Sequence, residues 1–238
     1  MKLATKQSMA IVALMGAMVG VGCQEDNEPP TYSVVPSIQL ESVRFARATS
    51  GHNDSLIIVI AYQDGDGDLG GRPTGNAFTY PPNPHTGEEY WVFDSQNLDP
   101  ELPPYHCADY HMVDITPQDD SWILDTVRAD FNPDYYNFSL TLWVKEDGSY
   151  QEYNFLEICN WPLGGVFREV NSEIKQDKHL GDVFSITPYN RQEGQITYRM
   201  SGAFSILFKN DSVKATVTIR DEALNRSNTV ESDPFFIQ

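Results

Sequence analysis

An all-β chain folded as an antiparallel sandwich is predicted by three observations. Apolar and polar residues alternate over a succession of short segments. Asp-Gly and Asn-Asp pairs stand between such segments. Helical periodicity appears at most around Phe167–Lys178. Taken along the chain, Ile38 and Leu40 alternate with polar neighbours, and Val43 and Phe45 resume in shifted phase, which predicts a bulge near Glu41-Ser42. Leu56–Tyr62 (LIIVIAY) is rich in β-branched residues and reads as a buried central strand. Phe138, Leu140, Leu142 and Val144 alternate with polar positions, Asp147-Gly148 makes a turn, and Tyr150–Leu156 runs back as the second arm of a hairpin.

The C-terminal third continues the pattern. Ile196, Tyr198 and Met200 alternate, as do Phe204, Ile206 and Phe208; after the Asn210-Asp211 turn come Val213, Ala215, Val217 and Ile219. A last strand spans Thr229–Ile237, where Pro234 places it on a sheet edge. The long stretch Gly71–Pro133, rich in proline, aromatic and acidic residues, reads as an elaborated, loop-rich insertion after the second strand. One domain, residues 38–238, therefore carries an insertion at about 71–133.

The first residues read as a targeting segment and stand outside the fold. Lys2 and Lys6 precede an uncharged apolar run, Met9–Val21, which is too short to cross a bilayer comfortably. Gly20-Val21-Gly22 then leads into Cys23. This order resembles the bacterial lipobox, although Gly20 stands where leucine is usual. The resemblance implies a signal peptide over residues 1–22 and lipidation of Cys23; the alternative is an ordinary signal peptide that leaves a plain cysteine. Residues 23–37 form an acidic, proline-rich tether, with Pro29, Pro30 and Pro36 keeping it extended. Its acidic start, Gln24-Glu25-Asp26-Asn27-Glu28, is similar to the signal that sends lipoproteins of the Bacteroidota to the outer face of the outer membrane. Membrane attachment through the lipid anchor is the expectation.

The net charge is −18, and removing Lys2 and Lys6 with the leader makes the remainder more acidic still. Such a surface repels nucleic acid and anionic head groups and suits divalent cations. With Cys23 assigned to lipid, Cys107 and Cys159 remain as a candidate disulfide in an oxidising compartment. The rival is zinc held by His106, Cys107 and His111, whose spacing matches no standard zinc pattern.

Asp64-Gly65-Asp66-Gly67-Asp68-Leu69-Gly70 is the stretch richest in chemistry. Glycine permits the tight curvature that turns alternate carboxylates around one point, and clustered hard oxygens favour calcium. Its start resembles an EF-hand loop, but Leu69 and Gly75 occupy the sixth and twelfth positions, so the bidentate glutamate is missing. A second polar loop, Asp221–Asn228, precedes the last strand and resembles the corresponding loop of bacterial immunoglobulin-like domains. In such a sandwich both loops lie at one end, which brings Asp64, Asp66, Asp68 and Asp221 together as candidate calcium ligands. A metal-free corner capped by Asn and Asp is the competing reading.

The tether, the strand ending in DGDGDLG, Tyr136–Tyr150 (YNFSLTLWVKEDGSY) and Ile219–Asn228 (IRDEALNRSN) together resemble uncharacterised Bacteroidota surface lipoproteins. That resemblance implies an immunoglobulin-like β-sandwich and a surface address, with no established activity. Asp54-Ser55-Leu56, Asp125-Thr126-Val127 and Asp211-Ser212-Val213 also match the short O-glycosylation acceptor motif of that group.

No nucleophile elbow, phosphate loop or dinucleotide fingerprint is present, so catalysis is not expected. Aromatic residues concentrate near the non-strand regions. Trp91 and Trp143 are the candidate contacts to a surface glycan or protein partner, against the reading that the loop aromatics form the insertion's own small core. The expected role is a lipid-anchored binding or interaction module. The alternatives are a purely structural envelope lipoprotein and, more remotely, a surface glycan-processing enzyme.

Overall fold

A computed structural model describes residues 32–47, 54–71, 75–96, 99–115, 123–167, 183–190, 192–202 and 204–237. The leader, Cys23, most of the tether and nearly all of the segment with helical periodicity lie outside them. In chain order the first strands are β1 (Ser37–Ala46), β2 (Asp54–Gln63), β3 (Phe78–Thr79), β4 (Tyr110–Ile115), β5 (Ile123–Arg128), β6 (Asp130–Phe131) and β7 (Phe138–Glu146). Then follow β8 (Ser149–Glu152), β9 (Gly164–Gly165), β10 (Val183–Pro188), β11 (Glu193–Gly202), the helical turn α1 (Phe204–Leu207), β12 (Ser212–Ile219), β13 (Val230–Glu231) and β14 (Phe235–Phe236).

These strands build the all-β sandwich that alternation predicts. One sheet has the order β1-β2-β11-β10; the other has β13-β12-β7-β8, with β14 also on β12 and β9 on β7. The pairings are antiparallel throughout. Period-two alternation turns Leu56, Ile58, Ile60 and Tyr62 of β2 and Phe138, Leu140, Leu142 and Val144 of β7 into one shared core. The faces meet through aromatic rings: Phe138 lies 4.8 Å from Tyr198 and 5.3 Å from Phe184 between centroids. Burial of each such side chain stabilises the fold by roughly 1.5–3 kcal/mol.

Local chemistry accounts for the turns. The β1–β2 register shifts between Leu40 and Ser42, the predicted bulge. Asp147 (φ 47°) and Gly148 (φ 88°) both adopt positive φ in the β7–β8 turn, as a tight hairpin with right-handed twist requires.

Three expectations change, and one strand is added. Phe204, Ile206 and Phe208 do not form a strand. Phe204 and Phe208, four residues apart, sit on one face of the α1 turn, and the Phe208 N–H donates to the Phe204 carbonyl at 2.9 Å. Ile206 faces out, 80% exposed. Spacing of i and i+4 satisfies a helix as well as a strand, and the Asp54 carboxylate tips the balance by accepting the Ser205 N–H at 2.9 Å. The return arm of the hairpin ends at Glu152, and a 3-10 turn occupies Leu156–Ile158. The last strand divides into β13 and β14 on either side of Pro234, both on the β12 edge. Strand β10, absent from the predicted elements although Phe184 and Ile186 alternate with Ser185 and Thr187, closes the free side of β11.

The insertion carries short elements of its own. β4 and β5 form a hairpin, β3 and β6 close its base, and Phe78 packs edge-on against His111, Phe131 and Trp161. Cys107 and Cys159 are joined as a disulfide with a Cα–Cα distance of 5.5 Å, which ties the insertion to the segment after β8. Among the described residues no helix is long and apolar enough to cross a membrane.

Candidate metal centre

The centre lies where β2 runs out. Strand β2 ends at Gln63, and the Asp64 N–H leaves the ladder to donate to the Gln192 carbonyl at 2.7 Å. Gly67 takes φ 67° and Gly70 φ 94°, left-handed conformations that curl the chain back within seven residues. Leu69 then forms an antiparallel bridge with Asp221, just past the end of β12, and the Glu222 N–H reaches the Asp68 carbonyl at 3.4 Å. The two acidic loops therefore meet at one end of the sandwich.

One carboxylate oxygen each from Asp64, Asp68 and Asp221 lies within 4.8 Å of the others. Asp64 is fully buried and Asp221 is 1% exposed. Asp66 lies at the exposed rim, close enough to push up the pKa of both Asp64 and Asp68. Donors reach only part of this oxygen set. Asp64 Oδ2 accepts the Leu69 N–H at 3.1 Å, and Asp221 accepts the Asn225 N–H at 2.7 Å and its side-chain amide at 2.8 Å. Asp64 Oδ1 and Asp68 Oδ1 are buried without a hydrogen-bond partner.

Electrostatics follow from that crowding. Burial, then the charges of Asp66, Asp68 and Asp221, pushes the Asp64 carboxyl up to about 7. Burial, then Asp221 and Asp66, pushes Asp68 up to about 6, against a lowering hydrogen bond from the Ala223 N–H. The Tyr62 hydroxyl, buried beside Asp64, is pushed up to about 12. A buried carboxylate without a counter-charge costs several kcal/mol. Arg220 offsets part of the charge of Asp221, and the remainder favours protonated carboxyls or a cation. Three converging carboxylates with hard oxygens are the donor type that fits a calcium-type ion; Asp66, the fourth candidate, falls outside this group.

Residues with no signal in the sequence complete the surroundings. Arg220, 3% exposed, donates to the Asp221 carbonyl at 3.1 Å and to the Asp134 carbonyl at 2.9 Å. Its burial breaks the β12 alternation, and no spacing rule announces it. Gly65 touches the tether: its N–H donates to the Ser33 carbonyl at 2.8 Å.

The remaining candidates lie elsewhere. Cys107 is committed to Cys159, which removes the thiolate a zinc site would use; His106 stays beside the pair, while His111 sits among aromatic rings where burial lowers its pKa. Trp91 is 8% exposed, with Arg128 5.7 Å over its ring, so it belongs to the core of the insertion. Trp143 is half-buried on the outer face of β7 and donates through Nε1 to Thr216 Oγ1 at 3.1 Å. Of the motif hydroxyls, Ser55 lies within central strand β2 and Ser212 is 2.8 Å from the Tyr150 hydroxyl.

No known protein family, curated protein or solved structure matches this chain.

Proposed function

We propose that this protein is a lipid-anchored interaction module of the outer cell surface, an immunoglobulin-like sandwich braced by calcium at the corner of Asp64, Asp68 and Asp221. The observation that carries the calcium reading is the convergence of three carboxylates within 4.8 Å, two of them with buried oxygens lacking any donor. A corner in which Asp64 and Asp221 are almost wholly buried suits a bare ion and gives no room to a sugar, which favours bracing over hydrolysis. The immunoglobulin-like assignment is supported by strand order: β1-β2-β11-β10 follows A-B-E-D, and β13-β12-β7 follows G-F-C. The anchor is supported by the succession of Lys2 and Lys6, the apolar run and Cys23. On the outer face of the second sheet, Trp143 and Tyr150, the latter beneath the Lys214 ammonium at 4.8 Å, are the contacts offered to a surface glycan or protein.

Calcium at a hundredfold excess over its dissociation constant should raise stability by about 2.7 kcal/mol, a rise of roughly 5–10 °C in melting temperature for a domain of this size. Asp64→Asn and Asp221→Asn should each abolish the rise. A melting temperature indifferent to calcium and chelator would rule out the brace. Fatty-acid labelling in the native host should be lost in Cys23→Ser, and persistence of the label would reject the anchor.

A further inference from the structure

Both loops that supply the carboxylates also grip the chain where the tether joins the sandwich. Gly65, between Asp64 and Asp66, donates its N–H to the Ser33 carbonyl at 2.8 Å. The approach is so close that a Cβ on Gly65 would stand 2.2 Å from the Tyr32 carbonyl oxygen. Asn228, in the loop that begins at Asp221, brackets Ile38: its Oδ1 accepts the Ile38 N–H and its Nδ2 donates to the Ile38 carbonyl, each at 2.9 Å. The Tyr32 hydroxyl adds a bond to Glu193 Oε2 at 2.6 Å, on the strand whose preceding turn also holds Asp64 through Gln192. Next to Gly65 in the chain stands Asp64, wholly buried, with one oxygen lacking a donor.

We infer that calcium at this corner works as a clasp on the stalk. By tying the 64–70 loop to the 221–228 loop, the ion holds residues 33–38 against the sandwich. Its loss loosens both grips and frees residues 33–37, extending the tether by at most about 17 Å at the reach of an extended chain. The domain then stands farther from the membrane and swivels more freely. The clasp rests on the calcium reading of the site, and its effect on the distance from the membrane on the proposed lipid anchor. Coupling between ion and clasp is reciprocal, so weakening the clasp must weaken calcium binding by the same factor.

Hydrogen exchange on the full chain in detergent, with calcium chloride or with chelator, tests the clasp, with the melting temperature followed in parallel. In calcium, the Gly65 and Ile38 amides should exchange about tenfold more slowly, beyond any change at the Leu140 amide inside β7. Asn228→Ala keeps all four aspartates; it should still be stabilised by calcium, bind it several-fold more weakly, and lose the protection of Ile38. Calcium that raises the melting temperature but leaves Gly65 and Ile38 exchange unchanged overturns the clasp and leaves the brace standing. Calcium that does not bind at all overturns the brace, and the clasp with it.

Discussion

Asp64 is the residue on which the chemistry turns, because its carboxyl is buried beside three other acids. Its pKa in the folded state is pushed up to about 7 and that of Asp68 to about 6, against about 4 for an unfolded aspartate. Raised acid pKa values mean that the metal-free fold binds more protons than the unfolded chain between pH 4 and 7. Stability therefore falls as pH rises through that window, and each tenfold difference in proton affinity between the folded and unfolded states is worth about 1.4 kcal/mol. In chelator, the melting temperature should be higher at pH 5 than at pH 8, and Asp64→Asn should flatten the difference and stabilise the metal-free protein at pH 8. A metal-free protein that loses stability on acidification from pH 8 to 5 would contradict the burial of these acids. At this scale the sequence was partly legible. Alternating Asp and Gly announced converging carboxylates, since glycine's freedom is a local property. The contact of Gly65 with Ser33 and the burial of Arg220 depend on strands far apart in the chain, which no spacing records.

Among the elements, those that bury one face were readable from alternation, as β7, β11 and β12 show, and the central strand β2 from its run of β-branched residues. The α1 turn misled because Phe204 and Phe208 meet both periods, and a long-range bond from Asp54 made the choice. Strand β10 lies on the sheet edge, where Phe184 and Ile186 give only a short alternation that stops at Pro188, too little to stand out as a strand. The insertion depends on more than its ring packing, since Cys107–Cys159 closes a loop across a sequence separation of 52. Replacing both cysteines by serine should cost about 2–4 kcal/mol, the range expected for a bridge that closes a long loop. Limited proteolysis should then nick the insertion between residues 75 and 128 while β2, β7, β11 and β12 stay protected. Equal resistance in reduced and oxidised protein would show that the insertion needs no staple.

As a whole molecule, the chain is an acidic sandwich with its candidate ion, its tether junction and its two acidic loops gathered at one end. With a net charge of −18, self-repulsion acts across the surface, and a divalent ion held at the corner, as proposed, would relieve part of it. Under the proposed function, that arrangement would join bracing of the fold and control of the tether in one place. Both rest on calcium being held by Asp64, Asp68 and Asp221, whereas the proposed lipid anchor at Cys23 does not. A crystal structure of the protein grown in millimolar calcium, with anomalous scattering measured to identify the ion, tests this directly. One peak should stand bonded to Asp64, Asp68 and Asp221 among six to eight oxygens at about 2.3–2.6 Å; a corner without a peak, its carboxyls bridged only by protons and water, would contradict it.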